Sequence, residues 1–454
     1  MNVLLVSTYE LGHQPFGLAS PAAWIAERGH QVACADLCVE SLDPDSVREA
    51  DLVAFYLPMH TATRLAATVI AKVRAINPRA HICCYGLYAP LNESYLRNLG
   101  AGTVLGGEFE PGLISLIERL RGGRSPAQTE PLISLDRMPF RIPLRSALPP
   151  LENYARLRVG GSSKRVGYTE ASRGCKHLCR HCPVVPVYQG SFRVVQAEIV
   201  IADIRQQVAA GAEHITFGDP DFFNGPTHAM RIVDALDREW PALTYDATIK
   251  IEHLLQHREL LPRLRETGCL FVTSAVESVD DAVLAKLDKG HTRADFIAVA
   301  HLFRSAGLAL APTFIPFTPW TTRESYRELL QVLLELDLVD HVAPIQLALR
   351  LLIPRGSRLL ELDDIQAVIR EFDEPALLYR WQHPDPEIDM LARDALRIAA
   401  SQGSRREIFG YLWNLVNESP LPPSFEESQG RAIPQLDEPW YCCAEPTDEQ
   451  LARV

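Results

Sequence analysis

The stretch Ser172-Arg173-Gly174-Cys175-Lys176-His177-Leu178-Cys179-Arg180-His181-Cys182-Pro183 sets three cysteines in one short run, with three and then two residues between them. Four thiolates would close a tetrahedral zinc site or saturate a cubane cluster. Three leave one iron of a 4Fe–4S cluster open to an outside ligand, and this spacing lets a single loop wrap one cluster. Gly174 permits close backbone approach, while Arg173, Lys176 and Arg180 offset the charge of thiolate-bound iron. A zinc knuckle is the competing use of the same letters, with His177 or His181 as fourth ligand. A disulfide framework fits poorly, because Met1-Asn2-Val3-Leu4-Leu5-Val6 reads as a first strand rather than a secretory leader.

A second group stands near the far end, in Pro439-Trp440-Tyr441-Cys442-Cys443-Ala444-Glu445-Pro446. Adjacent cysteines in a proline-rich tail have little to offer a core. As a pair of soft thiolates they suit a soft, thiophilic centre. Two incidental tail cysteines are the plainer alternative.

The elements that must position these groups follow from pattern. A length of 454 residues suggests two or three domains, each with its own core. The net charge of −12 argues against nucleic acid or an anionic membrane as main partner. No apolar run is long enough to span a bilayer, and ten cysteines without a leader point to a cytoplasmic protein that uses metal or thiol chemistry.

Residues 1–122 alternate strands (Val3–Ser7, Gln31–Asp36, Leu52–Leu57, His81–Tyr85, Thr103–Leu105) with helices (Pro21–Arg28, Thr63–Ile76), which predicts a doubly wound parallel sheet. Gly86 and Gly106-Gly107-Glu108 follow strands, at the edge where such sheets bind ligands. Residues 123–165 carry Pro126, Pro131, Pro139, Pro143 and Pro149-Pro150 and read as a connector. Strands and helices alternate again over 166–365. Strands at Val166–Glu170, Ile215–Phe217, Leu243–Lys250, Leu270–Val276, Leu308–Ile315 and Ala343–Leu349 make a partial (β/α)6 TIM-type barrel with ligands at the strands' carboxyl ends. Residues 366–454 read as helices at Asp389–Ala400 and Arg405–Val416, then the cysteine tail.

The CxxxCxxC spacing after a first barrel strand resembles the radical S-adenosylmethionine (SAM) superfamily. That resemblance implies a 4Fe–4S cluster on Cys175, Cys179 and Cys182, with SAM chelating the open iron. It also implies a SAM site built from Gly218, Asp219 and Asp221 after the second strand, Lys250 after the third, the Glu277-Ser278 pair after the fourth, and His181. Ahead of such a barrel, the first segment resembles a cobalamin-binding domain. The Asp-x-His-x-x-Gly motif that supplies the lower cobalt ligand is absent, and His13 stands alone in its region, so the expectation is a domain that packs on the barrel without cobalamin.

The tail resembles the radical SAM group named for its Cys-Cys-Ala-Glu-Pro ending, in which one role is assigned, in arsinothricin biosynthesis. What this resemblance implies is transfer of the 3-amino-3-carboxypropyl group of SAM to trivalent arsenic held by Cys442 and Cys443. A third thiolate would come from Cys269, Cys84 or a small thiol. Arsenite is then the small-molecule partner, and a flavodoxin or ferredoxin the electron donor. The rivals are a 5′-deoxyadenosyl-radical or cobalamin-dependent methyl-transfer enzyme, a thiol metal-binding protein and an electron carrier.

Overall fold

The computed structural model describes residues 1–122, 129–423, 425, 433–438, 445–447 and 450–451. The front sheet contains β1 (Asn2–Ser7), β2 (Gln31–Asp36), β3 (Leu52–Tyr56), β4 (His81–Tyr85), β5 (Thr103–Gly107) and β6 (Ile133–Ser134). They lie in the order β2-β1-β3-β4-β5-β6, all parallel. Near-continuous apolar strands such as Leu52–Tyr56 are buried on both faces, as helix-covered parallel sheets require. Val53 and Phe55 pack under one layer of helices, Leu52 and Ala54 under the other.

Two boundaries here depart from the pattern. The first helix is Phe16–Glu27 and contains Pro21 in its interior. Proline forfeits the bond to the carbonyl four residues back, here that of Gly17, and so disguises the first turn. The freed oxygen accepts the Tyr85 hydroxyl at 2.8 Å instead. The connector, read as surface chain, contributes β6 to this sheet.

The second sheet begins with an antiparallel hairpin, β7 (Arg156–Val159) and β8 (Ser162–Thr169), reaching upstream of the expected boundary. A short antiparallel pair, β9 (Ser172–Gly174) and β10 (Phe192–Val194), brackets the cysteine loop. Then β11 (His214–Phe217), β12 (Thr244–Thr248), β13 (Cys269–Glu277) and β14 (Ala309–Phe314) continue in parallel with β8. The sheet order is β14-β13-β12-β11-β8-β7. Alternation sorts its residues: Ile215, Phe217, Tyr245, Ala247 and Val272 pack under the outer helices, while Thr216, Asp246 and Thr273 face the lumen. Burying a side chain such as Phe217 contributes about 2–3 kcal/mol.

The sixth strand expected at Ala343–Leu349 is a 3-10 turn, Pro344–Leu347, and only the bridge Phe317–Arg350 remains of its pairing. The single helix expected over Leu254–Glu266 is two, Ile251–Gln256 and Leu261–Glu266. Pro262, which lacks an N–H, is admitted only in the first turn of the second. Beyond the barrel a hairpin, β15 (Ile369–Asp373) and β16 (Leu378–Trp381), precedes the helices Pro386–Ala399 and Arg405–Val416. The last strand, β17 (Gln435–Leu436), returns to pair with β7. Among the described residues no helix is long and apolar enough to cross a membrane.

Candidate active site

The cysteine loop leaves β9 at Gly174, whose φ of +76° places it where side chains are strained. A Cβ there would also meet the Tyr188 ring at 2.4 Å. Four clamps fix the loop that follows. The Asn224 side chain accepts from Lys176 N at 3.2 Å and donates to the Gly174 carbonyl at 3.3 Å. Arg180 N donates to Leu287 O at 2.9 Å, and its guanidinium reaches the carbonyls of Ala285 and Lys286. Ser357 Oγ donates to Arg180 O, and Arg358 to Leu178 O, both at 2.9 Å. The loop is therefore held by the ends of three other units. Asn224 carried no sequence signal, since an isolated asparagine after a turn has no periodicity or spacing to mark it.

The three sulfurs share this loop and act on one another electrostatically, and burial pushes the Cys175 thiol up to about 11. Metal binding takes the place of these protons. Lys250 Nζ lies 3.8 Å from Cys179 Sγ and supplies the compensating charge. Three thiolates with one buried ammonium fit a 4Fe–4S cluster that keeps one iron open.

The residues expected around SAM divide into two sets. Glu277, His181 and Lys250 converge at the carboxyl ends of the strands. Glu277 ends β13 with φ +68°. Its Oε1 lies 3.1 Å from His181 Nε2 and 3.3 Å from Lys289 Nζ. Burial opposes its charge, but the Lys289 ammonium and the His181 imidazole outweigh that and hold the carboxyl at about 2. Ser278 Oγ accepts from Asp280 N at 3.0 Å, closing the turn after β13. The other set holds the loop in place. Both oxygens of Asp219 are engaged, by Ala171 N at 2.9 Å and Ser172 Oγ at 2.5 Å. A Cβ on Gly218 would strike the Tyr168 hydroxyl at 1.8 Å, so this glycine makes room for Tyr168. Asp221 is buried against His253, which stands 2.6 Å away, and caps the turn by accepting from Phe223 N.

Cys442 and Cys443, expected to hold arsenic, lie outside the described residues. The two internal candidates for a third thiolate lie in different sheets. Cys269 opens β13 at its amino end, roughly 26 Å along the strand from Glu277, and donates to Phe271 O. Cys84 is buried within β4, where burial pushes its thiol up to about 12.

The front sheet turns its carboxyl edge to the barrel. Arg173 in β9 pairs with Glu108 and Glu110 just after β5, and the His13 ring lies 5.0 Å from that of Tyr168. The chain's own atoms crowd four glycines along this edge. A Cβ on Gly106 would meet Pro90 at 2.6 Å, on Gly107 the Ser134 carbonyl at 2.1 Å, on Gly17 the Tyr56 ring at 2.1 Å, and on Gly86 the Leu57 carbonyl at 2.9 Å. At these four positions the chain's own packing requires glycine.

Residues 169–333 match the family model of the radical SAM superfamily. The hopanoid C-3 methylase of Methylococcus capsulatus is 25% identical over 348 residues, covering 73% of this chain and 66% of the methylase. A tRNA-2-methylthio-N(6)-dimethylallyladenosine synthase of Geobacter sulfurreducens is 23% identical over 42% of this chain and 45% of its own length. The chain thus spans less than two thirds of these curated relatives. Among solved structures, the radical SAM methyltransferase TsrM from Kitasatospora setae, with tryptophan and a SAM analog bound, has a TM-score of 0.67 at 16% identity, covering 88% of this chain and 89% of that one. The cobalamin-dependent radical SAM enzyme OxsB, with aqua-cobalamin and SAM bound, has a TM-score of 0.67 at 13% identity, covering 87% and 66%. These two share the fold: a doubly wound sheet packed on a curled half-barrel. Residues 169–333, which hold the three-cysteine loop and most of the half-barrel, match the radical SAM model, so this part of the chain is a radical SAM domain.

Proposed function

We propose that this radical SAM enzyme transfers the 3-amino-3-carboxypropyl group of SAM to trivalent arsenic held by Cys442 and Cys443. The observation that carries the reading is the anchoring of the chain on both sides of that pair. Glu438 accepts from the Tyr9 hydroxyl at 2.9 Å. Glu445 pairs with Arg64 and lies 3.9 Å from His60. Tyr9 follows β1, and His60 and Arg64 open the helix after β3, so both anchors sit at the carboxyl edge facing the barrel. Six residues, Cys442 and Cys443 among them, join the two anchors in the sequence.

The same edge carries polar groups suited to a small ligand. Glu10 Oε2 and His13 Nδ1 are buried there without a hydrogen-bond partner among the described residues. Burial holds the Glu10 carboxyl well above the usual range. A protonated carboxyl and a neutral imidazole suit the hydroxyls of an uncharged arsenous acid. When bound, the cluster supplies the electron that cleaves a carbon–sulfur bond of SAM. The chain's own residues hold the loop, balance its charge through Lys250 and Lys289, and present the thiophilic acceptor. An electron donor of the flavodoxin or ferredoxin class completes the system.

A second reading, cobalamin-dependent methyl transfer to a small metabolite, is favoured by the relatives' names, while the chain lacks the Asp-x-His-x-x-Gly motif that would supply a lower cobalt ligand. One product analysis separates the two. Reduced, cluster-loaded protein with SAM and arsenite is expected to give methylthioadenosine and an arsenic species bearing the aminocarboxypropyl group. S-adenosylhomocysteine, a methylated product and a corrinoid absorption band would overturn the proposal in favour of methyl transfer. 5′-Deoxyadenosine alone would overturn both.

A further inference from the structure

Beside the cysteine loop three side chains meet that the group transfer leaves without a role. His177 comes from the loop itself, Asp221 from the turn after β11, and His253 from the helix after β12. His177 Nε2 lies 3.3 Å from His253 Nε2 and 3.6 Å from Asp221 Oδ2. Asp221 Oδ2 in turn lies 2.6 Å from His253 Nδ1. Asp221 and His253 are almost wholly buried.

A divalent ion held tetrahedrally by bonds of about 2.0–2.1 Å sets its ligand atoms about 3.3 Å apart. The two separations from His177 Nε2, to His253 Nε2 and to Asp221 Oδ2, are near that size, whereas the 2.6 Å contact of Asp221 is with the other ring nitrogen of His253. The paired Nε2 atoms are also spaced at the long end of a hydrogen bond, facing each other. Behind His177, Glu252 Oε2 stands 3.6 Å from its Nδ1, where a carboxylate commonly orients a metal-ligating imidazole. The same Glu252 oxygen is 3.6 Å from Lys250 Nζ, which ties this group to the sulfur-facing ammonium.

We infer that His177, Asp221 and His253 form a site for a divalent ion of the zinc class, separate from the cluster ligated by Cys175, Cys179 and Cys182. Two neutral imidazoles and one carboxylate around such an ion leave one net positive charge, next to a loop that carries three thiolates. The ion staples the loop to the ends of β11 and β12, and it assigns Asp221 to metal rather than to SAM. Imidazole and carboxylate donors also separate this site from soft arsenic, which takes thiolates.

The test is zinc content and zinc K-edge X-ray absorption of cluster-loaded full-length protein, after zinc addition and passage over a chelating resin. Asp221→Asn and His253→Gln are measured alongside. Expected is about one zinc per chain with nitrogen and oxygen neighbours at about 2.0 Å, lost in both variants while cluster iron stays at the wild-type level. Absence of zinc from the wild type overturns the inference. So does a sulfur shell at about 2.3 Å, which belongs to the cysteines, or zinc retained in both variants. Should a variant lose iron as well, the cluster-free Cys179→Ser chain decides. Zinc retained there with a nitrogen and oxygen shell supports the site, and its loss overturns it.

Discussion

Arg173 grips Glu110 with two nitrogens, at 2.7 and 2.9 Å, and so fastens the strand that leads into the cysteine loop to a helix of the front domain. Both side chains are buried, at 7% and 0% exposure. Glu170 at 2.7 Å and Glu108 at 3.3 Å complete a ring of three carboxylates around one cation. Burial raises Glu108 to about 7 against the pull of Arg173, so near neutrality this carboxyl retains much of its proton and relieves the excess negative charge. The front domain is thereby part of the loop's support.

Arg173→Met should strand Glu110 and Glu170 and cost about 3–5 kcal/mol, the usual range for breaking a buried pair from one side. Adding Glu110→Gln should recover part of that loss. Urea unfolding of the single and double variants, with iron content after reconstitution, checks both statements. Strictly additive effects would show that the two residues do not act as a pair.

Pro21 and Tyr85 form a second testable couple. Tyr85→Phe should cost about 1–3 kcal/mol, because it leaves the buried Gly17 carbonyl unsatisfied. In a Pro21→Ala background residue 21 regains an N–H four residues on from Gly17, so the same change should cost less. Thermal unfolding of the four proteins reads the difference. An equal cost in both backgrounds would mean that the hydroxyl does not substitute for the missing helix bond.

These two couples mark what the amino-acid order could and could not announce. The doubly wound front sheet and most barrel strands were legible because periodicity is local. Pro21 hid the first turn of its helix, since the partner that compensates for it lies 64 residues away in the sequence. Asp219 and Asp221 were legible as carboxylates after a strand, but not their employment. Asp219 is spent on Ala171 and Ser172, and Asp221 faces two histidines that only the fold brings together. The sixth strand failed for a similar reason: an apolar run at 343–349 looks alike whether it pairs or turns under a helix.

The pH dependence of Asp219 follows from its burial, which raises its carboxyl to about 7 against the bonds from Ser172 and Ala171. An unfolded chain releases this proton near pH 3.9. Between the two values the folded state holds more protons, so stability attributable to Asp219 falls as pH rises from about 4 to about 7. The span corresponds to something on the order of 4 kcal/mol. Asp219→Asn should therefore flatten the decline across that window, read as the wild-type minus variant difference in unfolding free energy. A difference that does not change with pH would place the raised titration elsewhere.

The anchors beside the cysteine pair allow docking of the tail to be separated from its chemistry. Replacing both Cys442 and Cys443 by serine should leave iron content and SAM binding intact and abolish transfer to arsenic. Arg64→Ala removes a partner of Glu445 but no thiol. A half-exposed ion pair adds about 0–1 kcal/mol to stability, so folding should scarcely change. Its larger effect is on effective concentration, because a tail freed at one anchor visits the barrel mouth less often. Transfer should then slow by roughly tenfold in Arg64→Ala, and more when Tyr9→Phe loosens Glu438 as well. Arsenic bound per chain should stay at the wild-type level, because both thiols remain. Product formation measured beside arsenic stoichiometry distinguishes the two classes of variant. Wild-type transfer rates in the anchor variants would show that the tail reaches the site without the front domain. Undiminished transfer in the double serine variant would remove the tail from the chemistry altogether.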